Sequence, residues 1–89
     1  MRAIVTVIGK DRVGIIATVC NALSRQNVNV LDISQTILQE YFTMIMLVDA
    51  SCCTLPFAQL VEVLKKEGEQ LGVDIRAQRE EIFHAMHRI

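Results

Sequence analysis

The sequence predicts an α+β sandwich in the order β-α-β-β-α-β, followed by a short C-terminal helix. Three observations carry this. Residues 3–8 (Ala-Ile-Val-Thr-Val-Ile) and 41–48 are apolar on both faces, which suits strands with a neighbour on each side. Residues 28–38 and 73–77 carry more polar side chains and suit the borders of a sheet. Between these runs, two stretches place apolar residues at i, i+3, i+4 and i+7, the spacing of a helix with one buried side. Two strand-helix-strand units with right-handed crossovers then give one antiparallel sheet in the order 4-1-3-2, with both main helices on one face. That is the ferredoxin-like sandwich.

In the first strand, Gly9 is expected to end the β-branched run. Asp11 is a good N-cap for a helix whose first turn is Arg12, Val13 and Gly14. Ile15, Ile16, Val19, Cys20 and Leu23 make its buried stripe, and residues 24–27 its polar end. The second strand changes phase. In a regular strand Val28 and Val30 point one way, while Leu31, Ile33 and Ile37 point the other. Pairing therefore begins near Leu31, or a bulge sits at Asn29 or Val30. Gln39 and Glu40 form a short hairpin connection into the third strand. Residues 50–54 are a loop, in which Thr54 is placed to cap the second helix, and Pro56 fits that helix's first turn. Phe57, Leu60, Val61, Leu64 and Leu71 follow helical spacing, and Gly72 stops the helix. Val73, Ile75 and Ala77 alternate with Asp74, Arg76 and Gln78 in a fourth strand with one wet face. Ile82, Phe83, Met86 and Ile89 form a last helical stripe. The expected division is a single domain over residues 1–89, with a core of 1–80 and a helical extension of 81–89.

Eighty-nine residues hold one hydrophobic core, and an apolar content of 52% is enough to fill it. A net charge of −1 argues against a nucleic-acid surface, which needs basic residues to displace counterions. No apolar run is long enough to span a bilayer, and Met1 leads straight into strand-like sequence without a signal peptide. A cytoplasmic protein with no membrane partner is expected. Three cysteines without framework spacing fit free thiols, with Cys20 in the core. The two-sided apolarity has one further consequence. Both main helices cover the same sheet face, so Ile4, Thr6, Ile8 and one row of the third strand would otherwise face water. The terminal helix and a second subunit are expected to cover them, which implies a homodimer.

The chemistry concentrates at Gly9-Lys10-Asp11-Arg12-Val13-Gly14-Ile15, where the first strand gives way to the first helix. Backbone N–H groups near Val13, Gly14 and Ile15 gather at the positive end of that helix and favour a carboxylate. Gly14, lacking a Cβ, lets the backbone approach closely. Other occupants of this fold leave different residues. The loop has no Cys-x-x-Cys for copper, and the first strand has none of the stacking aromatics of an RNA-recognition motif, with only Phe42 and Tyr41 on the third. Arg12 has the wrong spacing for an acylphosphatase, and Gly9-Lys10-Asp11 lacks the Ser or Thr of a P-loop.

The segment resembles instead the hallmark of the ACT family of amino-acid-binding regulatory domains: an apolar strand followed by Gly-x-Asp-Arg-x-Gly-Ile/Leu. Val13 stands where that family often has proline. Asn27-Val28-Asn29-Val30 is similar to the family's approach to its second strand, so the resemblance spans residues 1–80. Asp32-Ile33-Ser34-Gln35-Thr36, Glu40-Tyr41-Phe42-Thr43-Met44, Ile82-Phe83 and Met86 resemble a group of small stand-alone ACT proteins of unknown function, related to the ACT modules of glycine-cleavage regulators.

The resemblance implies a regulatory or sensing module with no fused enzyme and no cofactor. It implies a ligand between subunits, with Asp11, Arg12, Val13, Gly14 and Ile15 of one chain facing Asn29, Asp32, Ser34 and Gln35 on the second strand of the other. Backbone amides would hold the carboxylate of an amino acid or similar small metabolite, and Asp11 or Asp32 its ammonium group. Two other readings stay open. The domain can serve as a protein–protein interaction or dimerisation module without a ligand. Glu80, His84 and His87 also fall on one face of the last helix and could hold a divalent metal. No nucleophile–base pair can be assigned among Asp11, Asp32, Glu40, Glu80 and the two histidines, so no catalytic activity is expected.

Overall fold

The computed structural model describes residues 1–86, and side chains as far as Phe83. In it, β1 (Arg2–Lys10) is followed by α1 (Ile15–Arg25), β2 (Asn29–Leu38), β3 (Tyr41–Asp49), α2 (Phe57–Leu71), β4 (Val73–Arg79) and α3 (Glu80–Met86). The four strands form one antiparallel sheet in the order β2-β3-β1-β4, which is the expected order read from the other edge.

Alternation along the central strands sorts the side chains. Ala3, Val5 and Val7 of β1 and Phe42, Met44, Met46 and Val48 of β3 are buried, and cross-strand pairing sets Val5 opposite Met46 and Val7 opposite Met44 on one face. Ile15, Val19, Ala22 and Leu23 of α1, Leu60 and Leu64 of α2, and Val73 and Ile75 of β4 close the core over that face. Each larger side chain in this layer contributes about 1.5–3 kcal/mol by leaving water. Ile16, expected in the stripe, is instead exposed: the buried line runs through Ile15, Val19 and Leu23, which turns Ile16 to its outer border. Cys20 is half-buried against the core.

Several boundaries differ from the expectation, each for a local reason. Gly9 does not end β1. It pairs with both Phe42 and Val73, and Lys10 continues the strand opposite Tyr41. A Cβ at Gly9 would lie 2.6 Å from Val73 Cγ1, so the glycine admits a close neighbour rather than breaking the strand. Thr54 does not cap α2. Its hydroxyl donates to Gln26 Oε1 at 2.7 Å and its amide to the Gln26 carbonyl at 3.1 Å, while Pro56 occupies the N-cap position just before the helix. Gly72 does end α2, in the left-handed conformation.

The second strand carries its irregularity at Leu31, one residue past Val30 and two past Asn29, the two predicted bulge positions. Asn29 and Val30 pair regularly with Asp49 and Val48, and the register shifts between Val30 and Asp32, leaving Leu31 as the extra residue. Pairing thus starts at Asn29, not Leu31. Beyond the bulge Ile33 and Ile37 lie on the helix-facing side, opposite Met46 and Phe42, yet both are exposed. Of the described helices only α1 touches β2, while α2 packs over β4, so this side of β2 is thinly covered. On the far side of the sheet α3 packs against β1 and β4, and Arg2 pairs with Glu80 at 3.0 Å. Among the described residues no helix is long and apolar enough to cross a membrane.

Candidate functional site

The chain leaves the sheet at Asp11, whose amide donates to the Glu40 carbonyl at 2.7 Å and so pins the loop to the β2–β3 hairpin. Asp11 was the expected N-cap, but the cap position is Gly14, with φ 91° and ψ 1°, and no side chain caps the helix. Residues 11–14 are therefore a loop and not the helix's first turn. The positive φ explains the glycine; a Cβ there would meet nothing within 4 Å, so crowding does not.

The Thr18 amide donates to the Gly14 carbonyl at 2.9 Å and closes the first turn. The amides of Ile15, Ile16 and Ala17 come before any intrahelical acceptor, and the first turn contains no acidic residue. The same three residues line a hollow of about 230 Å³, together with Asp11, Arg12, Gly14 and Phe42. Arg12 Nη1 donates to the Leu71 carbonyl at 2.7 Å, at the negative end of α2, which ties the loop to a second helix. Val13 is fully exposed.

The sequence-predicted residues on β2 are not gathered at this loop within one chain. Asn29 lies opposite Asp49, which lies opposite Arg2, the far end of β1 from Lys10. That is roughly 27 Å along the strand. Asp32 follows the bulge in the row of Leu47 and Ile4, and its Oδ1 accepts from the Ile33 amide at 2.9 Å. Ser34, opposite Ile45, lies on the sheet's open face, whereas Gln35, opposite Met44, lies on the helix face. Sequence reasoning missed Ala17 and Phe42 as walls of the hollow and took Ile16 for a core residue. Phe42 reaches the hollow through strand register, opposite Gly9, which the sequence alone does not display.

At the other end of the sheet, Asp49 Oδ1 accepts from the Ser51 hydroxyl at 2.6 Å and the Ser51 amide at 2.9 Å. These two bonds, led by the hydroxyl, hold the Asp49 carboxyl below its ordinary pKa of 3.8, and the Met1 ammonium 3.6 Å away adds to the effect. Cys20, Cys52 and Cys53 are free thiols. Among the described residues no three His, Cys, Asp or Glu side chains are grouped to hold a metal ion. Glu80 pairs with Arg2, and the predicted partners His84 (its side chain) and His87 lie outside the described residues.

Fold and site together define a class: ferredoxin-like α+β domains with an open loop between the first strand and helix. Within that class the chain belongs to the ACT domain family, whose sequence model matches residues 2–78. A UPF0237 protein of Clostridium acetobutylicum is 55% identical over 89 residues, the full length of both chains. The solved structure of an ACT domain protein from Streptococcus pneumoniae superposes with a TM-score of 0.83 at 41% identity, covering 98% of each chain. A candidate transcriptional repressor of the glycine cleavage system shares the fold, with a TM-score of 0.72 at 23% identity, over 86% of this chain and 44% of that one.

Proposed function

We propose that this chain is a non-catalytic regulatory module that binds an amino acid or a similar small carboxylate metabolite where two copies meet. ACT domains are in general regulatory ligand-binding modules, and one observation here carries the reading to a place. The start of α1 leaves the amides of Ile15, Ile16 and Ala17 uncapped beside a hollow of about 230 Å³, a volume suited to a small metabolite. A carboxylate against these amides meets fixed partial positive charge in a site whose walls are apolar. Asp11 at the rim supplies an acceptor for an ammonium group, and the tie from Arg12 to α2 fixes the loop before the ligand arrives.

The hollow is open on one side, and Asn29, Asp32, Ser34 and Gln35 lie elsewhere on this chain. They serve the ligand only from a second copy whose β2 comes beside the loop. Binding across such a seam tightens the dimer by linkage. With about ten heavy atoms and about −0.5 kcal/mol per atom, the affinity is of order 0.1 mM.

Calorimetric titration against the twenty amino acids tests this. Heat and a thermal shift with one or a few of them support the reading. Silence toward all of them at about 10 mM, some hundredfold above the expected Kd, removes it.

A further inference from the structure

We propose that Cys52 and Cys53 are a reversible oxidation site, at which a small-molecule disulfide closes a bridge between the two neighbours and loosens the chain just after α1. This stands apart from the ligand reading, because the pair follows the Asp49 end of β3, remote from the first loop.

The two thiols differ in access. Cys52 is exposed, whereas Cys53 is half-buried and packs against the core. The Cys53 amide donates to the Ala50 carbonyl at 3.1 Å, which closes a turn with Ser51 and Cys52 at its middle. The peptide that joins the two cysteines is thus held at both of its polar atoms. Ala50 holds its N–H, and Asn27 Nδ2 donates to its oxygen, the Cys52 carbonyl, at 3.1 Å. Asn27 is a left-handed residue just past the end of α1, with φ 61°. One peptide therefore fastens the loop to the exit of the helix. The third thiol, Cys20, sits within α1 and is half-buried against the core.

Access sets the order of the steps. The Cys52 thiolate attacks one sulfur of the small disulfide. A bond forms between Cys52 Sγ and that sulfur, the disulfide's own bond breaks, and the first small thiolate leaves with the electron pair and takes up the proton that Cys52 gave up. The Cys53 thiolate then attacks Cys52 Sγ, and the second small thiol leaves in the same way. Two electrons and two protons pass from the pair to the disulfide, which becomes two thiols. Neighbouring Cα atoms are about 3.8 Å apart across a trans peptide, short of the roughly 4.4–6.8 Å usual for bridged cysteines. A bridge between neighbours is therefore strained and readily reduced, which suits a reversible signal. Because one side chain faces water and the other the core, closing the ring turns the shared peptide out of its hold, and the bond from Asn27 is lost.

Oxidised glutathione on the full chain, in the absence of oxygen and metal, tests this by intact mass and peptide mapping. The parent is expected to lose two hydrogens and retain no glutathione, and dithiothreitol to restore it. Cys53→Ser, with no second thiol to resolve the intermediate, should keep one glutathione on Cys52. Cys53→Ala repeats this should the serine disturb the packing. Cys52→Ser should react at least about tenfold more slowly than the parent, because Cys53 is covered. Oxidation should lower the parent's thermal midpoint by about 4–8 °C, the scale of one lost hydrogen bond in a domain of this size. In Asn27→Ala, where that bond is already missing, the drop should be less than about half as large. A parent that stays reduced, or keeps glutathione as Cys53→Ser does, overturns the proposal. So does a bridge to Cys20 or between two chains, and so do equal drops in the parent and Asn27→Ala.

Discussion

The two ends of α1 are finished in opposite ways. At the C-terminal end every exit is closed. Asn27 adopts φ 61°, its amide donates to Ser24 at 2.9 Å, and the Val28 amide reaches back to Leu23 at 3.0 Å, as in a Schellman turn. The Asn27 side chain then donates to the Cys52 carbonyl at 3.1 Å, and Thr54 grips Gln26 twice. At the N-terminal end nothing is closed: the cap is a glycine, and the first amides face a hollow. Both ends begin with the same debt of unpaired backbone groups. One end meets it with backbone amides of its own turn and of Thr54, and gains stability. The other leaves it open, which is the condition for a ligand to meet it instead.

The comparison can be broken from either side. The largest effect is expected at the closed end, where Leu23→Ala removes a fully buried side chain and should cost about 2–5 kcal/mol in denaturant unfolding. Asn27→Ala places a Cβ-bearing residue without a side-chain donor in the left-handed turn and should cost about 1–2 kcal/mol by the same measurement. At the open end Gly14→Ala should cost only about 1 kcal/mol, all of it from the positive φ because no neighbour is crowded. Calorimetry should show a larger loss for ligand binding by this variant than its stability cost explains. If Gly14→Ala destabilises as much as Leu23→Ala, the open end is structural and the contrast fails.

The smallest effect is expected in acid. Because Ser51 holds the folded Asp49 carboxyl below its unfolded pKa, the stabilisation is present above about pH 4 and fades as pH falls through the folded value. Asp49→Asn should flatten that acid limb of stability against pH while leaving neutral-pH binding unchanged. An acid limb identical in the two proteins would remove Asp49 from the bracing of the 51–54 loop.

Much of the fold was legible in the sequence because burial leaves a pattern. The two-sided apolarity of residues 3–8 and 41–48 placed β1 and β3 centrally, and the parity change between Val30 and Leu31 announced a bulge. What misled were residues whose partners are distant in sequence. Asp11 and Thr54 are good caps by type, yet Thr54 is taken by Gln26, 28 residues away. At Asp11 the positive φ of Gly14 starts the helix later. The open loop was legible as a glycine between a strand and a helix. Its distance from Asn29 and Asp32 was not, because that distance is set by strand register, which a one-dimensional reading does not contain.

Leu31 is a surplus residue in a ladder that has no slot for it. Were it paired in step with β3, Asp32 would fall opposite Met46 and Ser34 opposite Met44, on the helix-facing side, while Leu31 and Ile33 would turn to the open face. Looping it out lets even-numbered Val30 and odd-numbered Ile33 serve the same inner side. Deleting Leu31 should therefore keep the downstream pairing, and a single unmatched side chain decides which of this border strand's polar groups another molecule can reach.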